Sequence, residues 1–242
     1  MAENGAKVAL RALTFVGIFS LGAYLQARGF IPSVLRHSSD IVYLVRQHLV
    51  LAAISSTMAM AVGIPLGIIL TRPRFEFAAV AVMQVINLGT TIPTLALLAI
   101  SMSLLGIGSP PAIFALFVLT LLPIVLNTIA GIRSVTDHLI EAACGMGMMP
   151  SQILWRIELP NAFFVILAGI RTALAINIGT VPLAFLIGGG GLGELIFTGI
   201  DLMEPSMLLA GAIPTALLAV CVDFIIGQIQ YWLVPRGVNP LR

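Results

Sequence analysis

Six apolar stretches, at about 8–25, 49–70, 77–105, 112–132, 161–187 and 207–233, divide this 242-residue chain, and each is bounded by charge, Gly or Pro. A helix needs about 20 residues to cross a roughly 30 Å hydrocarbon layer. In lipid every backbone donor and acceptor must be satisfied within the protein, which a single apolar segment achieves only as a helix; a β-barrel would alternate polar and apolar residues instead. Composition agrees. Hydrophobic residues make up 59% of the chain and charged ones 9%, against about 25% charged in an ordinary soluble domain. That excludes a water-soluble globule, and the apolar excess excludes intrinsic disorder. The expected fold class is an all-α integral membrane protein with six transmembrane helices and little chain left over for a soluble domain.

The first run follows Lys7 and Arg11 and could also be a secretory signal peptide. No convincing cleavage site follows it, so it is kept as a membrane helix. With the N-terminus inside, the inner loops hold Lys7, Arg11, Arg72, Arg74, Arg133, Arg156, Arg236 and Arg242, and the outer ones hold only Arg28, Arg36 and Arg46. Basic residues accumulate on the cytoplasmic side, so both termini are expected there. Ser33 to His48 mixes Leu, Val and Ile with Arg36, His37, Asp40, Arg46 and His48, a pattern that suits a short helix at the outer interface with both histidines as interfacial side chains. A net charge of +2 with no basic cluster excludes a nucleic-acid partner. Cys144 and Cys221 read as free thiols, and no metal-ligand spacing or catalytic motif occurs.

The longest polar interruption between inner spans runs from Arg133 to Pro160. Thr136 or Asp137 can cap a first short helix through Leu139 to Ala143, which Gly145 and Gly147 then break. A second starts near Pro150, carries Ile153, Leu154, Trp155 and Ile157, and is expected to stop before Pro160. Small residues at Ala142, Ala143 and Gly147 admit a close partner surface, and Glu141 offers it a carboxylate.

Glu141-Ala142-Ala143, three residues, Gly147, nine residues, and then Ile157-Glu158-Leu159-Pro160 resemble the EAA loop of ABC-importer permeases at every fixed position. The resemblance extends over about 45–230 to the type-I permease fold, and more narrowly to permeases of glycine betaine, carnitine, choline and proline importers. Thr91-Ile92-Pro93-Thr94-Leu95-Ala96-Leu97-Leu98 resembles that group's TIPSLALL segment, and Leu121-Leu122-Pro123-Ile124 with Asn127-Thr128 and Gly131 resembles its LLPI-x-x-NT-x-x-G. Asn177-Ile178-Gly179-Thr180 and the glycines before Leu192-Gly193 resemble its N-x-GTA…FIGAGGLG stretch, with Val181-Pro182 standing where small residues are usual. The apolar runs and the resemblance together divide the chain into an N-terminal transmembrane helix (1–30), a periplasmic interfacial segment (31–48), a type-I permease domain (49–233) with its coupling loop at 133–160, and a cytoplasmic tail (234–242).

The resemblance also implies a role. Glu141, Ala142, Ala143, Gly147, Ile157, Leu159 and Pro160 would form coupling helices docked on an ATP-binding subunit. The chain would hold no ATP or Mg itself, since the partner ATPase binds both. The implied partners are two ATPase subunits, a second permease copy or paralogue, a periplasmic or lipid-anchored substrate-binding protein, membrane lipid and a small zwitterionic solute. The implied location is the bacterial inner membrane. A type-I permease for another small solute such as an amino acid, or an ATPase-independent secondary transporter, are the alternative readings.

Asn87, Thr90, Thr91, Asn127, Asn177 and Thr180 are uncharged polar groups within the spans. They are candidates for lining a path or for joining helices by hydrogen bonds. Arg171, 11 residues past Pro160, and Asp223, 10 residues before Leu233, each fall about 15–17 Å from the inner end of their spans. Unpaired charge at that depth is costly, so an Arg171–Asp223 ion pair is expected. Gly63 and Gly67 mark a face for close helix contact, and the glycines at 188–191 and 193 mark a backbone suited to bending.

Overall fold

The computed structural model describes residues 36–234 and the isolated positions 16, 20, 22 and 32, the side chains of Ile86 and Thr90 excepted. The first apolar run at 8–25, the expected helix at 1–30 and the tail beyond 234 therefore lie outside the described residues. Among the described residues the elements are α1 (Ser38–Leu70), α2 (Glu76–Thr91), α3 (Thr94–Leu105), α4 (Ser109–Arg133), α5 (Asp137–Gly145), α6 (Pro150–Ile153), α7 (Leu159–Thr180), α8 (Gly193–Asp201) and α9 (Pro205–Leu233). A short 3₁₀ turn, Pro73–Phe75, precedes α2, and a 3₁₀ segment, Val181–Ile187, follows α7.

Four continuous helical stretches are long and apolar enough to cross a membrane: Ser38–Leu70, Ser109–Arg133, Pro150–Ile187 and Pro205–Leu233. They match four of the expected runs. The expected run at 77–105 is corrected: it is not one straight helix but α2 and α3, bent by 104° to each other. The cause is local. Pro93 forces Ile92 out of the helical region, to φ −72° and ψ 121°, and cannot itself donate to the turn before it. Counting that bent pair as one span gives five among the described residues.

A second correction concerns the segment before residue 49. α1 runs unbroken from Ser38 for 33 residues, about 50 Å at 1.5 Å per residue, so residues 38–48 continue the spanning helix rather than forming a separate interfacial one. Nothing between Val45 and Val50 punctuates the helix, whereas Thr71, Arg72 and Pro73 close it at the other end.

Helix packing relies on the close approach that small residues allow. A side chain at Gly67 would meet Thr128 of α4 at 2.6 Å, and one at Gly169 of α7 would meet Asn127 of α4 at 2.3 Å. α4 thus lies between α1 and α7. Ala59, Ile124, Ile132, Ala162, Ile166, Ile170 and Ala173 fill the core at one end of this layer, and Leu51, Leu98, Ala112, Leu116, Ile178, Val181 and Ala184 fill it at the other.

Candidate functional site

The segment from Thr136 to Ile153 is built by two local rules. Thr136 is extended and precedes α5, whose first residue, Asp137, sets a negative charge near the positive end of the helix dipole. The helix ends in a Schellman turn. Gly147 takes φ +75°, its N–H donates to the Cys144 carbonyl at 2.9 Å, and the Met148 N–H donates to the Ala143 carbonyl at 3.1 Å. The chain then re-enters helix at Pro150, where the Met149 N–H donates to the Gln152 side-chain oxygen at 2.9 Å.

Ala143 and Ile153 face inward, while Glu141, Ala142, Leu139, Met146, Met149 and Trp155 are exposed. The exposed set forms a small mixed surface outside the spans, with His138 and Glu141 3.9 Å apart at its edge. Cys144 is a free, exposed thiol.

The expected stop before Pro160 does not occur. α6 passes through a π turn at Leu154–Glu158 directly into α7, so Pro150–Ile187 forms a single helical rod. In a regular α-turn the Pro160 ring would collide with the carbonyl of Arg156; widening the turn, with the Leu159 N–H bonded back to Leu154, removes the collision. The Asn161 side chain donates to the Ile157 carbonyl at 2.6 Å. Ile157, Leu159 and Pro160 thus belong to the continuous rod rather than to a free loop.

One partnership here escaped the sequence reading. Arg72, at the end of α1, donates through Nη2 to Glu158 at 2.6 Å and through Nη1 at 3.2 Å. Its Nε and Nη2 also reach the Ile68 carbonyl and the Thr71 hydroxyl. Glu158 is almost wholly buried. The root of this segment is therefore clamped to α1 by a bidentate ion pair. The sequence signal was a charge inside I-x-L-P, which has no cause to be buried unless paired.

Arg171 and Asp223 meet: Nε and Nη2 donate to the two carboxylate oxygens, each at 2.5 Å. The six polar candidates are used differently. Asn177 is buried and donates to Ser55, Ser56 and the Ala52 carbonyl of α1, so it joins two helices and lines no opening here. Asn127, Thr91 and Thr180 bond to carbonyls of their own helices. Asn87 lies on α2 with an exposed side chain, and the Thr90 side chain lies outside the described residues.

His48 is a correction. It is not an interfacial side chain but fully buried, with Nε2 3.0 Å from the Ile178 carbonyl. Pro182 explains the contact: it lacks the N–H that would bond to the carbonyl four residues earlier, and His48 supplies the donor in its place. His48→Leu is expected to leave that carbonyl unsatisfied at a cost of about 1–3 kcal/mol. The unfolding midpoint of the purified protein in detergent should fall, and fall less in His48→Gln, which keeps a donor.

The family described as "Binding-protein-dependent transport system inner membrane component" matches residues 63–237. The chain belongs to this family. This inner membrane component is 51% identical over 199 residues to the osmoprotectant import permease protein OsmY of Salmonella typhimurium, covering 82% of this chain and 84% of that one. It is 42% identical over 197 residues to the carnitine transport permease protein OpuCB of Listeria monocytogenes, covering 81% and 89%. With the choline transport system permease protein OpuBB of Bacillus subtilis it shares 39% over 206 residues, covering 85% and 94%. Its fold resembles a chain of the MetNI methionine ABC transporter in an inward-facing conformation, with a TM-score of 0.72 and 23% identity over 82% of this chain and 96% of that one.

Proposed function

We propose that this protein is the membrane-spanning permease subunit of an ATP-driven importer for a compatible solute of the glycine betaine, choline, carnitine or proline betaine type. The observation that carries the reading is the unbroken rod Pro150–Ile187. A push on the exposed surface around Glu141, Gly147 and Trp155 enters a helix that continues through the membrane, and the Arg72–Glu158 clamp carries α1 with it. A flexible loop would dissipate such a push.

Two separate ATPase subunits would hold ATP and Mg, dock on Glu141 to Pro160 and supply the closure. A second permease copy or paralogue would complete the passage, and an external binding protein would supply affinity for the solute. The chain itself then performs no chemistry. It changes shape: the rod and α1 move together, and their far ends, joined through His48 and Ile178, follow. The substrate class rests on the relatives, whose names specify an osmoprotectant, carnitine and choline.

The test is ATP-dependent uptake of radiolabelled glycine betaine in proteoliposomes holding this chain, its ATPase and its binding protein, with Gly147→Asp beside wild type. Nothing lies within 4 Å of a Cβ at Gly147, so the variant folds, at a backbone strain of about 1–2 kcal/mol. Its uptake is expected to fall more than about tenfold in an assembled complex, because a side chain and a charge then stand on the docking surface. Uptake indifferent to ATP and to the substitution would overturn the reading.

A further inference from the structure

At the end of α1 away from the Arg72–Glu158 clamp, Tyr43, Arg46, Gln47, Val50 and Ile54 follow one another at helical spacing and share one face. With Ile113 of α4 they line a 340 Å³ cavity, inside the size range of ligand sites. Its charge is one-sided. Arg46 is exposed, and among the described residues it has neither a hydrogen-bond nor an ion-pair partner. No carboxylate lines the cavity to balance it.

Tyr43 borders this cavity in a fixed place. The Gly191 N–H donates to Gln47 Oε1 at 3.1 Å, and Gln47 Nε2 donates to the Tyr43 hydroxyl at 2.9 Å, so that hydroxyl keeps its own proton to give. Ser109 adds a second hydroxyl from the start of α4. Ile54 lies eight residues beyond Arg46, about 12 Å along the helix, so donors and the positive charge occupy one end of the cavity while Val50, Ile54 and Ile113 wall the other with methyl groups. An arginine that merely met lipid headgroups would need neither a cavity nor a tyrosine held in place beside it.

We infer that the cavity between Tyr43, Arg46 and Ile113 is a weak receiving site for a zwitterion bearing a carboxylate and a methylated ammonium group. The solute's carboxylate takes the Arg46 guanidinium and the Tyr43 hydroxyl, in charge-assisted bonds. Its ammonium methyls lie against the Tyr43 ring and the aliphatic wall. The site also discriminates, because a quaternary ammonium without a carboxylate meets a like charge there and no counter-ion. Release is built into the same contacts. Gly190 and Gly191 hold φ +79° and +87°, and a shift of this glycine segment withdraws the Gly191 bond that seats Gln47 and, through it, Tyr43. The inference rests on the import function proposed above.

The experiment uses the complex of this chain with its ATPase, purified in a maltoside detergent without binding protein, so that docking of the binding protein plays no part. Saturation-transfer NMR reads the methyl signals of glycine betaine and of choline, which has the same trimethylammonium group and no carboxylate. Arg46→Gln breaks no hydrogen bond or ion pair among the described residues, so the variant is expected to assemble. The betaine signal seen with wild type should fall at least about fivefold in Arg46→Gln, and choline should give wild type a signal at least about fivefold weaker than betaine does. No betaine signal with wild type, equal betaine signals with wild type and variant, or equal signals from the two solutes would each overturn the inference. If Arg46→Gln does not assemble, Tyr43→Phe decides, since it keeps the ring and loses the hydroxyl: a betaine signal lowered about threefold or more supports the site, and an unchanged one overturns it. Uptake by the wild-type complex with its binding protein is measured in parallel, and a complex that transports no zwitterion would instead overturn the proposed function, whatever its NMR signal.

Discussion

Gly193→Ala is expected to abolish the folded protein. A Cβ at this position would stand 1.9 Å from the Pro182 carbonyl oxygen and 2.7 Å from its carbonyl carbon. These are backbone atoms, held in place by the 3₁₀ segment and by the His48 contact to Ile178. No rotamer change relieves the collision, so α8 would have to separate from the end of the rod by about an ångström, in an interior that tolerates little displacement. The cost should exceed about 4 kcal/mol, the range reserved for severe steric failure. The measurement is the yield of monodisperse protein after detergent extraction, expected to fall to background together with uptake. Gly179→Ala is the control. It lies in α7, the helix that leads into Pro182, with nothing within 4 Å of its Cβ, and alanine there should be neutral or stabilising by up to about 1 kcal/mol. Equal yields for the two variants would mean that α8 is not seated on Pro182 as described.

Arg72→Ala is expected to have the second largest effect and to be asymmetric with its partner. Removing the arginine strands Glu158, whose side chain is 9% exposed, without a counter-ion. Breaking a buried pair in this way costs about 3–5 kcal/mol, and the lower end applies because Arg72 itself is 31% exposed. Glu158→Gln should cost less, since the amide still accepts from Arg72 and the guanidinium can turn toward water. The expected ordering in thermal unfolding of the purified protein is wild type, then Glu158→Gln, then Arg72→Ala. ATP-driven uptake should fall further than stability alone explains, because α1 is then no longer clamped to the root of the coupling segment. Equal unfolding midpoints for all three would show that the pair carries neither load.

The turn at Gly147 and the entry at Pro150 were legible because each depends on one residue and its immediate neighbours. A positive φ favours glycine and a missing N–H favours proline in a first turn, wherever the chain lies. The bend at Pro93 was equally local, yet an apolar count over 77–105 runs straight through it. The stop expected at Pro160 fails for a related reason. A proline excludes a regular α-turn but not a π turn, and the rod survives by widening where the expectation was a stop.

His48 and Asn177 illustrate a different limit. Pro182 guaranteed that the Ile178 carbonyl would lack its helical donor, so a partner of some kind was foreseeable. Which side chain would supply it was not, because His48 lies 130 residues away. Asn177 was recognisable as a polar group at spanning depth, but the choice between a passage and a helix contact depended on where Ser55 and Ser56 came to rest.

The sequence by itself determined that the chain is helical and membrane-embedded, where most of its spans lie, and where the coupling segment turns. Those outcomes follow from apolarity and backbone freedom, which act along the chain. The tertiary structure alone decided that Arg72 would clamp Glu158 and that His48 would turn inward. Burial and pairing are set by which helix faces which, and that is fixed by close packing between segments far apart in sequence.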